Sequence, residues 1–456
     1  MLVGKLQEAT LELKKVVKPQ FHSAGSSTTV TLVPKRVKYA WNKEVIAKSI
    51  HSIQLWKKEF DPTWFLMLRM SDKRVSSEID TSYSRVIQSI PSSATIRSNH
   101  GLRAPSSRGL TLPAAALERM QIREIRFSSA KVARSLSPME TDMYILNSFG
   151  AVDLVQYQAS KKSVRDLASS LQHDEPDNFG LLSCKGFISE ADAPSKTKKK
   201  FTLVFRIPPN LWNPRSFREY LISTSCPSSL SCRFDIAKDL AKAVSYVHTF
   251  GFVHKNIRPE TILCFDSSGK ASPSIFLIGF DNFRKEDGRT QQRGDNEVEK
   301  NLYRHPSRQG FSPESTYIMQ HDIYSLGVCL LEIGLWQSFI EYENGDHSPS
   351  ISPTVGLPNG ASDGVVSSYL LSSCKERLVS VARSTLEQRM GTKYANVVHT
   401  CLTCLDPDNN DFGDEDEFED DDGIQVGVRY IEKVRLALTS FYAIFSELLS
   451  GSFSTQ

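Results

Sequence analysis

Two clusters in this sequence contain residue types that bind metal ions. Cys401 and Cys404 form one Cys-x-x-Cys pair, but a tetrahedral zinc site needs four ligands, and neither a second pair nor a His couplet accompanies it. In Asp411–Asp422, nine of twelve residues are acidic, without the ligand spacing of a calcium-binding EF-hand. We therefore predict no metal: the cysteines lie on an apolar helix face, and residues 408–423 form a solvated, disordered loop.

Charge is divided unevenly along the 456 residues. Residues 1–135 hold 23 Lys and Arg against 10 Asp and Glu, whereas the remainder holds 32 against 42. Either the two ends attract each other or the basic end faces an acidic partner. The longest apolar run, Tyr324–Trp336, is shorter than the roughly 20 residues that cross a bilayer. With no secretory leader and eight irregularly spaced cysteines, the sequence favours a cytoplasmic protein with reduced thiols.

Hydrophobic periodicity divides the chain into four parts. Short β-branched and aromatic runs (IREIRF, MYILNSF, VDLVQYQ, FTLVF) predict strands of one antiparallel sheet, and helical patterns dominate afterwards. The predicted parts are N-terminal amphipathic helices (1–70), a Ser- and Arg-rich disordered linker (71–120), a β-rich part (121–208) and a helical part (209–450).

Three segments carry a resemblance to protein kinases. His254–Leu263 reads HKNIRPETIL and resembles the kinase catalytic loop HRDLKPENIL position by position. Ile275–Phe283 (IFLIGFDNF) is similar to the magnesium-loop segment, where Asp-Phe-Gly normally stands. Gln320–Leu331 (QHDIYSLGVCLL) resembles the buried central helix. The three occur in the family's order and spacing, and the resemblance covers about residues 121–449.

The resemblance implies an α+β, bilobal protein kinase-like fold. Its small antiparallel β N-lobe would span 121–208 and its mostly α-helical C-lobe 209–450, preceded by the N-terminal helical pair. Five residues match positions that are structural in the family, with Asp322 expected to bond the catalytic-loop backbone and His254 to pack beside it. These residues are His254, Pro259, Glu260, Asp322 and Gly327.

The family's catalytic positions are altered. Asn256 stands where kinases have the catalytic Asp, Thr261 where they have a metal-binding Asn, and Gly279 where they have the principal metal-binding Asp. Asp281 would lie about 6–7 Å further along an extended strand, a poor substitute. Because phosphoryl transfer needs a positioned base and bound metal, we predict no catalytic residue, no metal site and no cofactor. Mg-ATP is expected to bind weakly or not at all.

The N-lobe motifs of a kinase are also altered. The sequence has no GxGxxG motif, and the Ala-Pro-Glu segment reads HPS at 305–307. VDLVQYQ, expected to be the strand with the anchoring Lys, offers Gln156 or Gln158, and Lys161 and Lys162 follow in a predicted loop. The next helix, SVRDLASSL, has Asp166 but no Glu.

The N-terminal segment KRVKYAWNKEVIAKSIHSIQLWKKEFDP resembles the closing helices of the fungal HeLo-type (prion-inhibition and propagation) domain. The earlier helices of that bundle are absent or truncated, so a membrane-disrupting role is in doubt. A brace on the kinase-like lobe and binding to an anionic membrane are both open. Nucleic acid is not expected, because Trp41 and Trp56 fall on the apolar stripe rather than among the charges.

These observations predict a catalytically inactive kinase-like protein, a pseudokinase, that binds other proteins as a signalling scaffold or switch. The N-terminal resemblance suggests fungal incompatibility or cell-death pathways. One alternative is an atypical Ser/Thr kinase with weak ATP binding. Another is a membrane-acting helical effector that the kinase-like domain regulates.

Overall fold

The computed structural model describes most of the chain from residue 109 onward. The described residues are 109–136, 142–153, 157–173, 176–189, 198–223, 229–268, 272–281, 283–285, 295–311, 313, 315–342, 349–357, 360–412, 430, 433, 434 and 438. The predicted N-terminal helices, most of the predicted linker and the acidic segment from residue 413 lie outside them.

One sheet of six strands forms the first half of the described chain. Its strands are β1 (Thr111–Leu112), β2 (Met120–Glu124), β3 (Ala130–Ser135), β4 (Met143–Asp153), β5 (Cys184–Ser189) and β6 (Lys198–Arg206). Their order is β1-β5-β6-β4-β3-β2, and every neighbouring pair is antiparallel except β1 with β5. The prediction of an antiparallel sheet therefore describes β2 to β6.

The sheet begins ten residues before the predicted boundary at 121. Buried Leu110 leads into β1, and its carbonyl accepts a hydrogen bond from Phe187 N (2.8 Å). Gly186 makes this close approach feasible, since a Cβ there would stand 3.1 Å from the Leu110 carbonyl carbon. Residues 109–120, which the sequence assigned to the linker, thus belong in part to the sheet.

The segment VDLVQYQ is not a separate strand, which corrects the sequence interpretation. Strand β4 ends at Asp153, and helix α1 runs from Tyr157 to Ser170. Gln158, Lys161 and Lys162 therefore lie on a helix rather than on a strand and loop, and Gln156 lies outside the described residues. The helix forms because Tyr157, Val164, Leu167 and Ala168, at helical spacing, are all buried.

The second half is mainly helical but also contains small sheets. Its helices, after the short α2 (Pro176–Phe179), are α3 (Phe217–Ser223), α4 (Leu230–Thr249), α5 (Val298–Asn301), α6 (Met319–Leu335), α7 (Asp363–Ser372), α8 (Cys374–Val381), α9 (Glu387–Met390) and α10 (Thr392–Leu402). Its strands are β7 (Leu211–Ser216), β8 (Phe252–Val253), β9 (Ile262–Ser267), β10 (Ser274–Leu277), β11 (Arg284–Lys285), β12 (Ile340–Tyr342) and β13 (Pro349–Ile351). β10, β9 and β7 pair in that order, β8 pairs with β11, and β12 with β13.

Helix α6 is the centre of the helical half, and all of its residues are buried. Gly327 lets α10 pack closely against it, because a Cβ at Gly327 would stand 2.8 Å from the Cβ of Cys401. Cys401 itself is buried on α10, and the thiol of buried Cys404 donates to the Gln320 carbonyl (3.2 Å). Within the described part of the chain, no helix has both the length and the apolar character needed to cross a membrane.

The architecture is α+β, with an antiparallel-rich sheet followed by a helical half, and it is compatible with a bilobal kinase-like fold.

Candidate functional site

The loop before β9 is held in place by a buried carboxylate on α6. Asp322 lies in the first turn of α6. It accepts hydrogen bonds from His254 N (2.7 Å), Lys255 N (2.9 Å) and Tyr317 Oη (2.6 Å), and His248 Nε2 lies 3.1 Å away. Burial raises the pKa of Asp322, but His248 and the other donors outweigh burial and leave this pKa below its ordinary value. The carboxylate therefore stays ionised and fixes the loop backbone.

His254 joins this loop to the end of β10. Its Nε2 lies 3.0 Å from the Ile278 carbonyl oxygen, to which the protonated nitrogen donates. The ring also packs against Phe280, with 4.8 Å between centroids. Burial lowers the pKa of His254 to about 4, so the imidazole is neutral at pH 7 and serves as a packed hydrogen-bond donor.

The three altered positions meet at one place. Thr261 Oγ1 donates to the Asn256 carbonyl (2.7 Å), and Asn256 Nδ2 donates to the Gly279 carbonyl (3.3 Å). Thr261 closes the 3₁₀ turn Pro259–Thr261, in which Pro259 takes the first position. Arg258 Nε donates to Asn256 Oδ1 (3.0 Å). Both polar ends of the Asn256 side chain are thus engaged within the protein.

Asp281 contacts this cluster directly. Asn256 Nδ2 donates to its Oδ2 (3.3 Å). The prediction assumed an extended strand, but Gly279 has φ +83° and turns the chain in the left-handed region. Burial raises the pKa of Asp281 against several opposing hydrogen bonds and cations.

Asn147 on β4 is the residue of this site that sequence reasoning missed. Its Oδ1 accepts hydrogen bonds from Gly279 N (3.2 Å) and Phe280 N (3.0 Å), and its Nδ2 donates to Asp281 Oδ1 (3.0 Å). It is fully buried in β4, the strand that directly precedes α1. The signal was a lone amide within the apolar run MYILNSF, because a buried polar side chain needs partners.

A second, fully buried network lies beneath the loop. Arg218 on α3 pairs with Glu260 (Nε–Oε1, 2.9 Å) and with Glu332 (Nη1–Oε1, 2.8 Å). Tyr303 Oη donates to Glu332 Oε2 (2.8 Å) and also contacts Arg218. Burial raises the pKa of Glu332, whereas in Glu260 the cations Arg218 and Arg258 outweigh burial and lower its pKa. Arg218 was not singled out in the sequence, since its partners are 42 and 114 residues away.

The segment HPS at 305–307 forms a small polar cluster. Ser307 Oγ lies 2.9 Å from His305 Nδ1, 3.3 Å from His321 Nε2 and 3.1 Å from Ser315 Oγ. Burial lowers the pKa of His305 to about 4 and that of His321 to about 3, so this contact is a set of neutral hydrogen bonds at pH 7. No group of three or more metal-binding side chains occurs among the residues that the structure describes.

Two similar proteins show what the chain is related to. Eukaryotic translation initiation factor 2-alpha kinase 1 of Mus musculus is 32% identical over 130 residues, and that of Rattus norvegicus is 33% identical over 131 residues. The chain is related to protein kinases. Each match covers 26% of this chain, which spans only 20% of the length of each relative. No family model matches the sequence.

Proposed function

We propose that this kinase-like chain does not transfer phosphate and instead acts by binding other proteins, as a scaffold or switch. The observation that carries the proposal is that hydrogen bonds within the protein engage the Asp281 carboxylate. Two amide groups, Asn147 Nδ2 and Asn256 Nδ2, donate to its carboxylate oxygens. Among the described residues, the other carboxylate in contact with this cluster is that of buried Glu260, which pairs with Arg258 (3.3 Å). Both carboxylates are thus engaged within the protein, which supports a site without a free base or metal ligand.

The chemistry of phosphoryl transfer supports this conclusion. A positioned general base contributes about 10²–10⁴ to the rate, and the amide of Asn256 cannot accept the substrate proton. Metal ions must bridge the phosphates, but Gly279 has no ligand and the Thr261 hydroxyl is occupied by the backbone carbonyls of Asn256 and Arg258. Mg-ATP is therefore bound weakly or not at all, and no cofactor is needed.

The proposed role is signalling through protein contacts. The loop, the turn Pro259–Thr261 and helix α6 are connected by Asp322 and Arg218, which retains a defined architecture where catalytic groups are replaced. The resemblance of the N-terminal segment to HeLo-type helices suggests fungal incompatibility or cell-death pathways as the setting.

The experiment measures nucleotide binding and phosphate transfer by the full chain. We expect no rise in Tm with ATP, with or without Mg²⁺ or Mn²⁺, and no labelled phosphate transferred to the chain itself or to a generic acceptor protein. A ligand at about 100 times its Kd would add about 2.7 kcal/mol to the free energy of unfolding, so binding would be visible.

A second function, that of an atypical kinase, can be tested because Asp281 still supplies a carboxylate at this site. That function would give a metal-dependent rise in Tm and phosphate transfer, both lost in Asp281→Asn. Glu118→Gln, at an exposed residue, is the matched control. Metal-dependent transfer that is lost only in Asp281→Asn would overturn the proposed function.

A further inference from the structure

The turn between β2 and β3 is strained and carries no glycine. Residues Ile125–Ser129 read IRFSS, and Ser128 N donates to the Ile125 carbonyl (3.0 Å) to close the turn. Phe127 has φ +57°, a left-handed conformation that is unfavourable for a bulky side chain. Such strain persists where surrounding contacts hold it.

The turn bonds directly to the helical half of the chain. Ser128 Oγ donates to the Glu260 carbonyl oxygen (2.8 Å) in the turn Pro259–Thr261. The Arg126 carbonyl accepts from Ser216 Oγ (2.6 Å) at the end of β7. The Phe127 ring packs on Tyr342 of β12, with 4.4 Å between centroids, and the Arg126 guanidinium lies 4.6 Å from the Phe127 centroid.

These contacts connect the turn to the buried network of Arg218, Glu260 and Glu332. Tyr342 Oη donates to Glu260 Oε1 (3.3 Å), the oxygen that also accepts from Arg218 (2.9 Å). Glu260 thus holds the turn twice, through its carbonyl and through Tyr342. Because Arg218 and Glu260 are buried, the surface that receives the turn is rigid.

A second contact joins the sheet to the segment that follows β10. Asn147 on β4 donates to Asp281 (3.0 Å) and accepts from Gly279 N and Phe280 N. Asn256 donates to the same carboxylate (3.3 Å), so the sheet and the loop before β9 meet at Asp281.

We propose that Ile125–Ser129 is a latch that joins the sheet to the helical half and holds the two together without a bound nucleotide. The latch rests on the proposed function, because a working phosphotransferase would have to open it in every cycle. In a switch of this kind, release of the latch separates the two halves without ATP.

Hydrogen–deuterium exchange on the full chain tests the latch. The variant Phe127→Ala/Ser128→Ala removes the ring contact and the interlobe hydroxyl. Its control is Phe311→Ala/Ser163→Ala, which truncates an exposed Phe (67% exposed) and a half-buried Ser whose hydroxyl donates within its own helix, to the Ala159 carbonyl (3.2 Å). We expect exchange to speed up roughly 5- to 30-fold at residues 125–130, 259–263 and 277–281, with α6 unchanged. Tyr342→Leu, on the receiving side, should give the same pattern.

Two results would overturn the latch. One is that both latch variants exchange these segments at the same rate as the control variant does. The other is equal acceleration throughout α6, which would show general destabilisation. Either result leaves the proposed function intact, because that function is decided separately by ATP-dependent Tm and phosphate transfer of the wild type.

Discussion

A Cβ added to Gly279 would stand 2.6 Å from the Cβ of Thr261. The space that an aspartate side chain would need at 279 is therefore filled by the threonine. Gly279 also has φ +83°, which only glycine adopts without cost. Gly279 and Thr261 fit each other, so a side chain added at 279 conflicts with the packing unless Thr261 is made smaller.

Gly279→Asp should destabilise the protein by about 2–4 kcal/mol, through the left-handed backbone and the overlap with Thr261. Urea unfolding measures this change. Thr261→Ser, which removes the methyl group, should recover part of the loss in the double variant, a non-additive result. Gly364→Asp is the control, since nothing lies within 4 Å of a Cβ there. Equal stability of the two Asp variants would contradict the packing argument.

Gly327→Ala should cost about 1–3 kcal/mol, because the new methyl group would meet Cys401 Cβ at 2.8 Å and Leu402 N at 3.2 Å. The helices α6 and α10 would have to separate. Thermal or urea unfolding checks this, with Gly364→Ala on α7 as a helical control that should be neutral or stabilising. If both alanine variants were equally stable, Gly327 would not be needed for close packing.

Arg218→Met should cost about 3–5 kcal/mol, since it leaves the buried carboxylate of Glu332 without its cation and that of Glu260 with Arg258 alone. The exposed Arg134→Met should stay within about 0.5 kcal/mol of wild type. Adding Glu332→Gln to Arg218→Met should restore some stability by removing one unpaired charge. A loss no greater than that of Arg134→Met would show that the network does not stabilise the fold.

Stability should fall as the pH is lowered from 7 to 5. Burial lowers the pKa of His173 and His321 to about 3, and of His254 and His305 to about 4, against about 6.5 in the unfolded chain. The unfolded state therefore takes up protons first. Each histidine contributes stability that is full above about pH 6.5 and is lost toward its folded pKa, at up to about 1.4 kcal/mol per pH unit.

Urea unfolding at several pH values gives this slope. His173→Phe, which keeps a ring beside Phe179, should reduce it by up to about 1.4 kcal/mol per pH unit. An unchanged slope in this variant would show that His173 is not buried in its neutral form.

Local patterns and a family resemblance were sufficient to predict much of this protein. Short β-branched and aromatic runs and helical periodicity, which lie within one strand or a few turns, predicted a β-rich part followed by a helical part. The resemblance of HKNIRPETIL and QHDIYSLGVCLL to kinase segments predicted the loop and the buried helix around His254 and Asp322. The same resemblance implied that Asn256, Thr261 and Gly279 belong to one site.

Only the tertiary structure decided how that site is completed. Asn147 and Arg218 meet partners far away in the sequence, and no local pattern specifies such pairs. The position of Asp281 depends on the left-handed backbone at Gly279. The end of β4 at Asp153 depends on the burial of one face of α1. These features follow from packing between elements, because burial and hydrogen-bond satisfaction are properties of the whole fold.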